Sequence, residues 1–263
     1  MRHNIGKIVG VHLYRNDLVV IREGTAPDTN DATRGEITEF SKKSRLRLAF
    51  VASNTPVVFR TMITLTYPKV YPTDGKAVKD HLGAFLAWVR KDRGACEYLW
   101  FLEFQARGAP HIHLMYDFHI GRHHDTRTAF RFRCSASWYN IVSSGDEKHL
   151  AAGTRCEALR KYDGAARYAI KYAHKMRQKA VPPDYQNVGR FWGYSQGLKP
   201  QPEAEFQCTE DDLRALVEDW EYAPDSDHPL YRVLYNQADR LRAHLAGGLD
   251  KSSESCYTGP QDQ

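Results

Sequence analysis

The chain has 263 residues, 42% hydrophobic and 12% aromatic, enough for one large domain or one domain with a modest appendage. Its net charge of +5 hides a division: residues 1–200 hold 32 Lys and Arg against 18 Asp and Glu, and residues 201–263 hold 5 against 14. A basic body with an acidic tail suits a protein that handles polyanions. No run approaches the roughly 18 apolar residues of a membrane helix, which argues against a membrane role.

Five cysteines (Cys96, Cys134, Cys156, Cys208 and Cys256) are scattered with no CxxC pair, which speaks against a disulfide framework or a cysteine zinc site. MRHNIGKIVG lacks the apolar stretch of a signal peptide. The expectation is a soluble protein of a reducing cytoplasm.

Residues 1–55 mix short apolar runs (IVGVHLY, LVVI) with the loop-like GTAPDTNDATRGE and read as an N-terminal extension of unknown role. Residues 58–67, VFRTMITLTY, are β-branched and aromatic and stop at Pro68, as a buried strand does. From Val78 to Arg90, Val78, Leu82, Phe85, Leu86 and Val89 recur at helical spacing. EYLWFLEF, 97–104, and HIHLMYDF, from 111, form an antiparallel pair of strands turned by QARGAP. Helices are predicted near 127–142, over 164–176 up to the Pro182-Pro183 stop, and over 209–220. The last dozen or so residues are expected to be disordered. Strand, helix, hairpin, helix, helix is the order of an α+β fold, a central antiparallel sheet flanked by helices. Residues 56–200 form its main domain and residues 201–263 an acidic C-terminal region, partly disordered.

GAPHIHLM, 108–115, carries the first chemical signal. Strand side chains alternate, so His111 and His113 share one face about 7 Å apart, and Ile112 takes the other. The partner strand ends in Glu103-Phe104-Gln105, which can add an acidic or amide oxygen. Two histidines and one carboxylate, with coordination positions left over, describe a catalytic metal site, and Mg²⁺ or Mn²⁺ suits one completed by water and phosphate oxygens. The plainer alternative is a pair of hydrogen-bonded histidines on the polar face of an amphipathic strand.

RYAIKYAHK, 167–175, carries the second. Tyr168 and Tyr172 lie on one helical face, about 6 Å apart along the axis, each followed three residues later by a lysine, Lys171 and Lys175. A phenol with its pKa near 10 needs help to attack a phosphate, and a metal ion and nearby ammonium groups provide it. Core aromatics with a solvated basic edge would give the same spacing. Arg127, Arg131, Arg133, Arg155 and Arg160, interleaved with Phe130, Phe132 and Trp138, are candidates to grip phosphates and stack bases.

TMITLTYP, EFQARGAPHIHLM and YAIKYAHK, in that order, resemble the three motifs of the HUH endonucleases, the rolling-circle replication initiators of single-stranded DNA phages and plasmids. The doubled YxxKYxxK is most similar to initiators with two active tyrosines, and NVGRFWG, 187–193, resembles a segment downstream of that helix in filamentous-phage-type replication proteins. The resemblance spans about residues 58–195. It implies an antiparallel sheet related to the RNA-recognition fold, His111 and His113 as metal ligands, and Glu103 as third ligand with Gln105 as the competitor of the same parity. It further implies Tyr168 and Tyr172 as nucleophiles and Lys171 and Lys175 as their positioning partners. The activity implied is metal-dependent nicking and rejoining of single-stranded or hairpin origin DNA through a 5′-phosphotyrosine, in the cytoplasm of a bacterial host and beside a host polymerase. No GxxxxGK[ST] loop is present, so unwinding is expected from a host helicase.

Three alternatives frame this reading. An HUH relaxase usually carries its nucleophile before the histidine motif, and an HUH transposase is typically much shorter than this chain. A histidine-triad hydrolase needs a third alternating histidine where Met115 stands. A non-catalytic single-stranded nucleic-acid-binding module would bind without nicking. His119, His123 and His124 read as an exposed polar loop, with a further metal site as the alternative.

Overall fold

The computed structural model describes residues 8–22, 37–159, 180–207, 209 and 211. The helix expected at 164–176 lies outside them, as does that at 209–220 apart from Asp211 and its neighbour Thr209. The described residues fall into two compact units. The smaller includes 8–22, 53–55 and the residues from 200 on, and the larger 37–52, 56–159 and 180–199. Residues 1–55, read from sequence as one extension, therefore contribute to both.

In the smaller unit, strands β1 (Ile8–Leu13) and β2 (Leu18–Arg22) form an antiparallel hairpin. Strand β8 (Ala204–Phe206) joins the other edge of β1, Val11 facing Phe206. Asp17, in the hairpin loop, is buried and accepts a hydrogen bond from Asn54 Nδ2. Burial pushes its carboxyl up to about 6 against that bond's opposing effect.

In the larger unit, strands β3 (Thr61–Thr66), β4 (Tyr98–Phe104) and β5 (Pro110–Tyr116) were legible in the sequence; β6 (Thr154–Ala158) and β7 (Trp192–Tyr194) were not. Together they form a five-stranded antiparallel sheet in the order β6-β3-β5-β4-β7. The β4–β5 turn closes through Gly108, whose φ of 82° places it in the left-handed region that glycine adopts without strain. This is the α+β architecture expected.

Register assigns each side chain to a face. Ile63, Leu114, Trp100 and Cys156 form one row across four strands, and Leu65, Ile112 and Leu102 another beside it. Helices α2 (Gly75–Arg93) and α3 (His124–Ile141) cover this apolar face. Asp74 caps α2 by accepting from the Lys76 amide, and Val78, Leu82, Phe85 and Val89 form its buried stripe. Phe130, Cys134 and Trp138 do the same for α3; Cys134 hydrogen-bonds Cys156, and Trp138 packs edge-on against Phe85. Trp138 Nε1 also donates to the Thr66 carbonyl at 2.8 Å, pinning α3 to the end of β3.

The opposite face carries Thr64, Thr66, His111, His113, Phe101 and Glu103. Trp192 lies across from Phe101 on this face, and its Nε1 donates to Ser44 Oγ of helix α1 (Lys42–Asn54), an element the sequence reading did not find. A short helix, α4 (Glu147–Ala152), precedes β6. Among the described residues, no helix is long and apolar enough to cross a membrane.

Candidate metal-binding and nuclease site

β5 is the middle strand, so His111 and His113 sit at the centre of the sheet with neighbours on both sides. On the β3 side, Thr66 faces His111 and Thr64 faces His113; on the β4 side, Glu103 faces His111 and Phe101 faces His113. Pairing at strand spacing gives each histidine a hydroxyl. Thr64 Oγ1 lies 3.2 Å from His113 Nδ1, and Thr66 Oγ1 lies 3.1 Å from His111 Nδ1. The two imidazole centroids are 4.7 Å apart, with planes at 79°. Phe101 stacks on His113 at 4.9 Å and 26°, which fixes the plane of that ring.

Glu103 closes the group: its Oε2 is 3.3 Å from His113 Nε2, and both residues are buried, at 8% and 2% exposure. This contact needs a positive charge. If Thr64 accepts from Nδ1–H, Nε2 presents a lone pair towards a carboxylate oxygen, a repulsive arrangement until a proton or a metal cation lies between them. A cation there satisfies both groups, and so the donor chemistry of Glu103, His113 and His111 fits a divalent ion. Among the described residues, however, no three His, Cys, Asp or Glu side chains already enclose a common ion position. The fit is one of donor type and face, with the carboxylate paired to His113 and His111 alongside.

Gln105 shares the parity of Glu103 but presents its other end. Its Oε1 accepts from Arg107 Nε at 2.9 Å, so its Nε2 is the atom turned to His111, 3.4 Å from Nδ1. Flipping the amide would set two donors against each other at Arg107, so the guanidinium fixes the orientation. Arg107 is held in turn by the Tyr67 and Pro68 carbonyls. Thr66, closer to His111 than Gln105 is, can accept from Nδ1–H and so leave the Nε2 lone pair for a cation.

The structure distributes the arginines unevenly. Arg155 lies in the row of Thr64 and His113, on the histidine face, and donates to Glu157 on its own strand at 2.7 Å. Arg127, Arg131 and Arg133 ride on α3, on the other side of the sheet. There Arg131 donates to the Cys156 carbonyl and Arg133 makes a two-point ion pair with Asp92 of α2. His119, His123 and His124 are exposed, the first 3.2 Å from an Arg60 nitrogen and the last beside Asp125. Tyr168, Tyr172, Lys171, Lys175 and Arg160 lie outside the described residues.

Thr64 and Thr66 are the site residues that sequence reasoning missed. Their signal was present in TMITLTYP, where two hydroxyls alternate on one strand face as the two imidazoles do on the next.

Residues 60–177 match the family model described as replication-associated protein, ORF2 and gene-2-protein type. That segment belongs to this family of rolling-circle replication initiators. The matched segment runs from the residue before β3 and includes the whole histidine–threonine–glutamate group; β7 and the smaller unit lie beyond it. The affiliation gives the domain a role in the initiation of DNA replication. No curated protein and no solved structure matches the chain.

Proposed function

We propose that this protein is a phage or plasmid initiator that nicks and rejoins single-stranded origin DNA through a tyrosine-linked intermediate. The observation that carries the reading is the buried His113–Glu103 pair beside His111, each imidazole backed by a threonine, within a segment of a replication-initiator family. A purely structural strand has little reason to place a charge-demanding contact at its centre, because burying a carboxylate is costly unless a cation compensates it.

In this reading His111, His113 and Glu103 hold Mg²⁺ or Mn²⁺. The ion would act as a Lewis acid on the non-bridging oxygens of the scissile phosphate. Thr64 and Thr66 keep each imidazole in the tautomer with its proton on Nδ1, and Phe101 holds the plane of His113. Lys171 and Lys175 bind the phosphates and stabilise charge on the attacking phenol. The phenolic oxygen of Tyr168 or Tyr172 loses its proton and bonds to phosphorus, and the bond from phosphorus to the 3′ oxygen breaks. That oxygen leaves with a proton as a free 3′-hydroxyl, the primer for a host polymerase, while a host helicase unwinds the duplex. The phosphotyrosine ester keeps the energy of the phosphodiester, so the reverse attack rejoins ends without ATP. A second tyrosine permits a new cleavage while the first 5′ end is still attached.

The test is covalent. Tyr168→Phe and Tyr172→Phe, singly and together, are incubated with an origin strand and Mn²⁺, and the tyrosine-linked oligonucleotide is sought by mass spectrometry. Each single variant should retain an adduct on the remaining tyrosine, and the double variant should form none. An adduct in the double variant refutes the assignment. Binding without any adduct in the unaltered protein would favour the non-catalytic module.

A further inference from the structure

β7 is the outer strand on the β4 side of the larger sheet and lies beyond the family match. Two aromatic rings project from it on the histidine-bearing face: Trp192 across from Phe101, and Tyr194 across from Leu99. The rings stack with centroids 5.6 Å apart and planes within 16° of parallel. Trp192 is only half-buried, and Tyr194, at 37% exposure, is one of three exposed large hydrophobic side chains among the described residues.

The stack is held rigidly. Trp192 Nε1 donates to Ser44 Oγ at 2.9 Å. Beyond Tyr194, the Ser195 amide donates to the Tyr98 carbonyl at 2.9 Å, and the Ser195 hydroxyl donates to the Glu97 carboxylate. Gly193, between the two rings, lies against Trp100 on the opposite face, where a Cβ would come within 2.8 Å of Trp100 Nε1. The glycine lets β7 lie close on β4 and sets the height of the aromatic pair. Cations adjoin it: Lys43 and Arg47, both exposed and one helical turn apart on α1, flank the turn that holds Ser44, and exposed Arg190 precedes Trp192 by two residues.

Flat, exposed, immobilised rings bordered by basic side chains are the elements with which proteins hold single strands, bases on the aromatics and phosphates on the cations. We infer that the Trp192–Tyr194 stack, with Lys43 and Arg47, binds bases and phosphates of single-stranded DNA beside the nick site. The inference rests on the nicking reading only for which DNA is bound. Trp192, Phe101 and His113 occupy one row of the sheet, so the platform lies two strand spacings, about 10 Å, from the proposed metal ligands. A strand whose scissile phosphate is at the histidines has neighbouring nucleotides at that distance. Stacking is tolerant of base identity, so the platform contributes affinity and register and leaves origin choice to other contacts.

The experiment uses the full chain and two labelled strands of equal length, a mixed-sequence oligonucleotide and an abasic one with the same phosphates, read by fluorescence anisotropy. Tyr194→Ala should weaken binding of the base-bearing strand about tenfold and leave the abasic strand unaffected, while Tyr194→Phe retains affinity. Lys43→Ala combined with Arg47→Ala should weaken both strands and reduce the salt slope by about 1.4, about 0.7 for each phosphate no longer neutralised. His111→Ala with His113→Ala should lose adduct formation yet keep the Tyr194-dependent difference between strands, so that failure of the nicking reading and failure of the platform are separately visible. Tyr194→Ala binding the base-bearing strand as tightly as the unaltered chain overturns the inference, and a protein partner would then be the better occupant of the stack.

Discussion

Thr64→Val gives the sharpest test of the site's organisation, because it changes a residue that touches neither DNA nor, in the proposed arrangement, the ion. Valine matches threonine in shape, so the strand and its packing are kept, and what is lost is the hydroxyl 3.2 Å from His113 Nδ1. Thr64 is 7% exposed and His113 2%, so water cannot readily replace it. Two effects follow. A buried ring nitrogen loses its hydrogen-bond partner, which should cost about 1–3 kcal/mol of stability. The Nδ1 proton also loses its acceptor, and with it the preference that keeps the Nε2 lone pair towards Glu103; loss of such an outer partner typically costs about 10–100-fold in metal affinity or activity. Adduct formation is measured against Mn²⁺ concentration, with Mn²⁺ binding by calorimetry as an independent readout. Half-activation should move to about 10–100-fold higher Mn²⁺, and the maximum should be partly recovered at saturation. Thr66→Val should do the same through His111, more mildly because that ring is only part-buried and Gln105 is also beside it. If Thr64→Val folds normally and both its Mn²⁺ binding and its half-activation are unchanged, the threonine does not orient a metal ligand and the argument fails.

Two further predictions concern other residues. Glu103→Gln removes the carboxylate but keeps the shape, and should abolish Mn²⁺-dependent adduct formation, whereas Gln105→Ala should lower it less than tenfold, because the Gln105 oxygen is already committed to Arg107; equal losses in the two variants would contradict the choice of Glu103. In the smaller unit, the Asp17 carboxyl holds its proton up to about 6, where a free aspartate loses it near 3.8. The unfolded chain therefore ionises first as pH rises, so this group lowers stability across that window, by up to about 3 kcal/mol at 1.36 kcal/mol per unit, with the loss complete above about 6 and recovered as pH falls. Asp17→Asn should remove that slope and stabilise the protein at pH 7, as read by urea unfolding at several pH values; an unaltered difference between pH 4 and pH 7 would show that Asp17 is not the group responsible.

Much of the larger unit was decided locally. The stripe of Val78, Leu82, Phe85 and Val89 specifies a helix wherever it is placed, because one face of a 3.6-residue repeat has to be buried. The QARGAP turn between two apolar runs specifies a hairpin, and two-residue alternation alone put His111 and His113 on one face. Helix α1 escaped because residues 1–55 were read as short apolar runs and loop, and KKSRLRL has charges around most of its first turns. Strands β6, β7 and β8, of three to five residues, have too little periodicity to be recognised. They are strands because partners distant in sequence accept their hydrogen bonds, Trp192 across from Phe101 and Phe206 across from Val11.

The sequence by itself determined that two imidazoles, an acidic residue and a basic, aromatic-rich chain would come together on an α+β sheet. Register, which no local pattern states, decided the rest. Pairing β3 with β5 set a threonine behind each histidine, and Arg107 committed the Gln105 oxygen, so that Glu103 is the carboxylate at His113. Packing α3 on the apolar face carried Arg127, Arg131 and Arg133 away from the histidines, although they stand close to them in the chain. A strand's neighbours are chosen by contacts between segments far apart in sequence, so the roles of these side chains exist only once the sheet has closed.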